Sequence, residues 1–251
     1  MNDTSLLALD VGNSTISAGL FEAGEMCAVN SWPMSILPKD LWLAVNTWFR
    51  EEARCSRNVA IASVVSGRAE ALAVASPQEY RCRIVTADID LPLTIHYEGT
   101  PGIDRLLAAV AALERAQPPF IVVHVGTAVV IDLVLPPRVF EGGIILAAAG
   151  LRARALALRT SALPLVMPPD TTVPLIGHST VECIASGLDS GLKAEIEGLI
   201  SRIRDLHDGV EEVLFCGGGA ESIIGEETRQ GWTSAPHLVL EGLAMVAERS
   251  T

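Results

Sequence analysis

Two short segments place glycine and small polar residues at the tip of a turn between apolar runs. Asp10-Val11-Gly12-Asn13-Ser14 follows LLAL and leads into TISAGLF; His124-Val125-Gly126-Thr127 follows FIVV and leads into AVVIDLVL. A strand–glycine turn–strand hairpin of this composition can present backbone N–H groups, with a hydroxyl or amide beside them, to a phosphate. Ordinary hairpins also carry Gly and Asn, so either segment alone says little. Their repetition about 115 residues apart, at matching places in two halves, suits a pair that clamps a polyphosphate from both sides. A third segment, EEVLFCGGGAES, runs a strand into Gly217, Gly218 and Gly219 and then a helix-like stretch. A plain strand-to-helix turn needs one glycine; three in a row suggest close approach of backbone to a ligand such as an adenine ring or ribose. The chain has no G-x-x-x-x-G-K-[ST] and no G-x-G-x-x-G opening a βαβ unit. That argues against a P-loop kinase and a dinucleotide dehydrogenase.

The elements that must hold these turns alternate strands with helices. Apolar runs at 6–10, 15–21 and 26–32 read as three strands, and DLWLAVNTWFREEA (40–53) has helical spacing through Leu41, Leu43, Ala44, Val45, Trp48 and Phe49. Strands follow at 59–65, 81–87 and 93–98, with a short helix at 69–75 and a strong one at 103–116. After Pro118 and Pro119 the plan restarts with strands at 119–125, 129–135 and 139–146. It continues with a long helix over 182–206, a strand at 211–215 and a final helix at 238–249. Strands alternating with helices, with no linker or low-complexity tract, predict an α/β fold of helix-covered sheets.

Composition limits the partners. Thirty acidic against 18 basic residues give a net charge of −12, which argues against nucleic acid as a partner, since binding phosphate backbones takes clustered Lys and Arg. A single nucleotide remains compatible, held by backbone N–H groups, a few cations and Mg²⁺. The run IVVHVGTAVVIDLVLP is broken by His124, Gly126 and Asp132, so no membrane span is expected. The N-terminus lacks a basic n-region, and the five cysteines (Cys27, Cys55, Cys82, Cys183, Cys216) are scattered without a C-x-x-C pair. Both features suggest reduced thiols in a cytoplasmic protein and no zinc site.

Seven segments in order resemble the motifs of type III pantothenate kinases, along the whole chain. DVGNS (10–14) resembles D-x-G-N-T; PGIDR (101–105) resembles P-x-x-x-G-x-D-R in contracted form; HVGTAVVID (124–132) resembles D-x-G-T-A-x-T-x-D. EGGIILAAAG (141–150) resembles G-G-x-I-x-P-G, SALP (161–164) matches T-A-x-L-P, HSTVECIASG (178–187) resembles N-T-x-x-A-I-x-x-G, and FCGGGAE resembles the T-G-G-x-A adenosine loop. The resemblance implies duplicated actin-like, ribonuclease H-like (ASKHA) domains, here 1–117 and 118–251, with an interdomain nucleotide cleft. It also implies ATP- and Mg²⁺-dependent phosphorylation of pantothenate in coenzyme A synthesis, by a homodimer.

The implied roles carry over residue by residue. Asp10 becomes the Mg²⁺ ligand, and Gly12, Asn13, Ser14, Gly126 and Thr127 become phosphate donors. Gly217 and Gly218 become part of the nucleotide loop. Asp104 becomes the base that takes the acceptor hydroxyl proton, and Arg105, Gly102, Tyr97 and Thr180 become acceptor-binding residues. Read without the resemblance, Asp104 is equally an N-terminal helix acid and Arg105 a solvated neighbour.

The departures concern the second motif above all. His124 stands where the family has the Asp associated with a monovalent cation, K⁺ or NH₄⁺, and imidazole is a poor ligand for such an ion. Val130 replaces a Thr, Ala148 a Pro, and His178 lies near the usual Asn. A catalytically degenerate relative that binds nucleotide or pantothenate in a regulatory role, or another ASKHA small-molecule kinase, is the alternative.

Overall fold

The structure is a computed structural model that describes residues 5–52, 54–168, 173–225 and 231–249. Its elements divide into two compact units, one of 1–117, 137–142 and 237–251, the other of 118–136 and 143–236. This differs from a single cut after residue 117 in two segments, 137–142 and 237–251, both of which group with the first unit.

The first unit begins with β1 (Ser5–Val11), β2 (Thr15–Glu22) and β3 (Glu25–Pro33), followed by α1 (Pro38–Glu51), β4 (Asn58–Ser63), α2 (Arg68–Val74), β5 (Arg81–Val85), β6 (Thr94–Ile95) and α3 (Ile103–Ala112). Its sheet runs in the order β3-β2-β1-β4-β5. β1 lies antiparallel to β2 and parallel to β4, and β4 lies parallel to β5. Being covered on both faces, β1 is apolar almost throughout rather than alternating, as a central strand requires. Helix α1 buries Leu41, Trp42, Val45, Trp48 and Phe49, a spacing that keeps one face on the sheet. The Trp42 indole N–H reaches the Leu72 carbonyl at 2.9 Å, so the largest ring in this core buries no orphan donor.

The second unit continues with β7 (Phe120–Val125), β8 (Ala128–Leu135), β9 (Val139–Ala147), α4 (Ala149–Arg159), α5 (Thr180–Leu206), β10 (Glu212–Cys216), α6 (Ala220–Ile224) and β11 (Trp232–Ser234). The last helix, α7 (Leu238–Arg249), packs with the first unit against α3 and β1. The second sheet reads β11-β10-β7-β8-β9, with β6 pairing parallel to the start of β9. β7 is antiparallel to β8 and parallel to β10, and β10 is parallel to β11. Strand for strand this is the order of the first sheet, so β7 corresponds to β1, β8 to β2 and β10 to β4. The repeat seen in the two hairpins is therefore a duplicated topology.

The apolar flank of α3 is core. Leu106, Leu107, Ala108, Ala109, Val110, Ala111 and Ala112 are all buried, and a Cβ on Gly242 of α7 would overlap the Leu107 carbonyl. Glycine is what lets these two helices touch backbone to backbone. No helix among the described residues is long and apolar enough to cross a membrane.

Candidate active site

In the first hairpin Asp10 is the penultimate residue of β1, paired with Ser17 on one side and Ala62 of β4 on the other. The turn 12–14 is closed by the Gly12 N–H donating to the Thr15 carbonyl at 3.0 Å, and the Met34 N–H donates to the Ser14 carbonyl at 2.9 Å. Asn13 and Ser14 are exposed at the tip. A Cβ on Gly12 would sit 3.3 Å from the Thr15 carbonyl, tighter than a side chain tolerates without movement. Burial, and after it the negative charge of Asp104, pushes the Asp10 carboxyl up to about 7. The two acids that the sequence singled out, 94 positions apart, therefore lie within electrostatic reach of one another.

Asp104 sits in the first turn of α3 and accepts the Arg105 backbone N–H at 2.9 Å. Gly102, the residue before the helix, has an ordinary φ of −56°. Its lack of a side chain has a steric cause instead, because a Cβ there would lie 2.5 Å from Asp104 Oδ1. Arg105 is buried to 6% exposure although it carries a charge. Its guanidinium carbon lies 5.2 Å from the Tyr97 ring centre and 5.4 Å from that of Phe140. Tyr97 itself is 40% exposed. Asp10, Gly102, Asp104, Arg105 and Tyr97 all belong to the first unit.

The second hairpin is closed in the same manner, the Gly126 N–H donating to the Ala128 carbonyl at 2.9 Å. His124 is the penultimate residue of β7, two before the turn glycine, and pairs with Val130 and with Cys216. It is thus the topological counterpart of Asp10. Gly126 is exposed and Thr127 half-buried at the turn. The glycine loop after β10 is held onto this hairpin, since the Gly219 N–H donates to the Val125 carbonyl at 3.1 Å. Gly217 has φ +86°, and a Cβ on it would lie 2.6 Å from His124 Cδ2; one on Gly219 would lie 2.6 Å from Val125 Cγ1. Two of the three glycines therefore answer to protein packing. Only Gly218 has open space where its side chain would be.

Thr180 is exposed at the start of α5, where the Ser179 side chain accepts the Glu182 N–H at 3.2 Å and Glu182 accepts the His178 N–H at 2.7 Å. This is a capping arrangement that the S-T-V-E sequence signals. Thr180 lines an open groove of about 1110 Å³ between α4 and the start of α5, with Arg152, Leu156, Arg159, Leu163 and Cys183. Sequence reasoning overlooked two residues near these sites. Phe140, fully buried against Arg105, is one apolar strand residue among many. Asp132, 2% exposed in the otherwise apolar β8, closes the motif HVGTAVVID but is given no role by the sequence. A Cβ on Gly143 would come within 2.7 Å of Asp132 Oδ1.

The model of the Type III pantothenate kinase family matches residues 6–202. The chain belongs to that family. A type III pantothenate kinase from Frankia alni is 31% identical over 262 aligned positions, covering 98% of this chain and 99% of its own. One from Thermus thermophilus is 33% identical over 228 positions, covering 87% and 89%. Among solved structures, the ROK family glucokinase from Streptomyces griseus in complex with glucose and AMPPNP superposes with a TM-score of 0.56 at 13% identity, covering 98% of this chain and 99% of that one. At that identity the likeness speaks for the fold, and together with the repeated strand order it makes this the duplicated actin-like fold of ASKHA kinases.

Proposed function

We propose that this pantothenate kinase family member transfers the γ-phosphoryl group of ATP to the 4′-hydroxyl of pantothenate, giving 4′-phosphopantothenate and ADP, the first step of coenzyme A synthesis. The observation that carries the reading is the approach of Asp10 to Asp104, with the Cβ of residue 102 removed to make room for the second carboxylate. Asp104 takes the proton as the hydroxyl oxygen bonds to phosphorus and the bond to the β,γ-bridging oxygen breaks. Gly12, Asn13 and Ser14 from one hairpin, and Gly126 and Thr127 from the other, donate to the phosphates. Gly217 and Gly218 serve the nucleoside end. Arg105 binds the acceptor carboxylate, helped by Gly102, Tyr97 and Thr180.

The donor set fits Mg²⁺. Two hard carboxylates that repel one another are relieved by a divalent cation. Among the described residues no cluster of three or more His, Cys, Asp or Glu forms a closed metal cage; Mg²⁺ needs only one or two carboxylates when substrate phosphates and water complete its shell. When bound, Mg²⁺ neutralises charge developing on the phosphates. Asp10 is its ligand in this proposal.

A monovalent cation does not fit the second hairpin. His124 occupies the counterpart of Asp10, and imidazole is unsuited to K⁺ or NH₄⁺, which want several hard oxygens. We infer turnover independent of K⁺. The enzyme works in the cytoplasm as a homodimer; the exposed Leu158, Leu175, Ile176 and Val181 beside the groove suit a second copy.

The decisive experiment is ADP release with ATP and Mg²⁺, with and without pantothenate and with and without K⁺. Pantothenate-dependent release in both salts supports the reading. Release that ignores pantothenate refutes the acceptor assignment, and a strict K⁺ requirement refutes the K⁺ independence inferred from His124.

A further inference from the structure

Two aromatic rings lie against the Arg105 guanidinium, those of Tyr97 and Phe140. We propose that Phe140 is a positioning residue: its ring, beside that of Tyr97, holds the Arg105 side chain in one rotamer so that its fork meets the acceptor carboxylate. The inference rests on the acceptor role of Arg105 given above.

Several observations on one side of the first unit converge on it. An arginine keeps its charge at any working pH, and its long side chain has much rotamer freedom to lose on binding an anion. Here the guanidinium carbon lies 5.2 Å from one ring centre and 5.4 Å from the other, distances at which the negative ring faces attract a cation. The ring centres are 6.4 Å apart and inclined at 55°. Burial to 6% keeps water from competing for those faces.

Phe140 is fixed in turn. It has no exposed surface, it pairs with Ile95 of β6, and its carbonyl accepts the His96 N–H at 2.9 Å. The same strand pair therefore places Phe140 and, two residues after Ile95, Tyr97. Tyr97 is backed by Gly142, whose φ of +92° suits glycine and whose missing Cβ would have stood 3.1 Å from Tyr97 Cδ2. One strand pairing thus sets both walls, and Arg105 enters from the first turn of α3. A buried aliphatic residue would fill the space of Phe140 but would give the cation no negative face.

The test separates shape from electrostatics. Replacing Phe140 with mono-, tri- and pentafluorophenylalanine keeps the ring nearly isosteric while withdrawing and then reversing the charge on its face. The expected result is a stepwise rise in KM for pantothenate, reaching roughly 2- to 30-fold, the range of one cation–π contact. KM for ATP stays put, the melting temperature falls by no more than about a few degrees, and kcat stays within about twofold, because the contact serves ground-state and transition-state binding alike. Phe140→Leu gives a similar rise in KM together with a lower melting temperature. An unchanged KM for pantothenate across the fluorinated series, beside an active unmodified enzyme, overturns the clamp. A fall in kcat with KM unchanged overturns the carboxylate assignment. An unmodified enzyme that does not use pantothenate at all refutes the acceptor reading on which the inference stands.

Discussion

Replacing Asp10 with Asn is expected to stabilise the metal-free protein while removing its activity. The free carboxyl has a pKa of 3.8 in an unstructured chain and about 7 in the fold, raised by burial and then by Asp104. Because the folded value is the higher, the native state holds the proton more tightly. The stability it contributes is complete below pH 3.8 and is lost as pH rises through about 7. At pH 8 the full cost is present. A shift of about three pK units corresponds to an upper limit of about 4 kcal/mol, and solvent screening of a partly exposed group reduces this to about 1–3 kcal/mol. For a chain of this size each kcal/mol moves the melting temperature by about 2–4 °C. Thermal melts of wild type and Asp10→Asn in chelator at pH 8 should thus differ by several degrees in favour of the variant. About half of that gain should persist at pH 5.5, midway between the two pKa values. Mg²⁺ with ATP should narrow the gap by stabilising only the wild type. A variant that melts lower than wild type at pH 8, or whose gain does not change with pH, would refute the claim that the fold disfavours the ionised Asp10 carboxyl.

Three further expectations follow from the same geometry. Asp104→Asn keeps the fold and ATP binding but lowers kcat by about 10²–10⁴-fold, the usual worth of a general base; calorimetric ATP binding alongside the rate assay checks both halves. Gly102→Ala puts a methyl 2.5 Å from Asp104 Oδ1 at a φ that alanine adopts freely, so kcat should fall at least tenfold with the melting temperature nearly unchanged. Gly217→Ala meets both a φ of +86° and the His124 ring at 2.6 Å. It should cost about 1–3 kcal/mol, read as a lower denaturant midpoint, and should raise KM for ATP; an unaltered KM would detach this loop from the nucleotide.

Much of the first unit was legible because its signals are local. The runs around Leu7, Leu20 and Ile61 are continuous and apolar, as buried central strands must be, and the face of α1 keeps helical period. Helix α4 was missed. Only Ala153 is buried along its 11 residues, so it has no apolar stripe, and it directly follows a glycine-rich strand. The three-residue β11 is too short to announce itself. At the site, the hairpin tips and the Asp104–Arg105 pair could be found from residue type and order. What lined them up could not be read. The closeness of Asp10 and Asp104 depends on how α3 is seated, and the Phe140 contact on the pairing of two-residue β6 with β9. Gly217 and Gly219 look in sequence like glycines set there for a ligand, whereas a Cβ on either would meet His124 or Val125, a packing demand that residue type alone does not show. Backbone proximity between segments some 90 residues apart leaves no local trace.

The placement of α7 has a consequence for the order in which the molecule is made. Its face of Leu238, Leu240, Leu243 and Val246 belongs to the first unit's core, and Gly242 lies on the Leu107 backbone. During synthesis the first sheet leaves the ribosome early, yet α3 stays uncovered until the final helix emerges. The second unit, by contrast, is complete at residue 236. The half that starts first therefore finishes last. A nascent chain stopped before Leu238 would expose the apolar surface of α3, and the helix bearing Asp104 is thereby secured only after the second unit has been made.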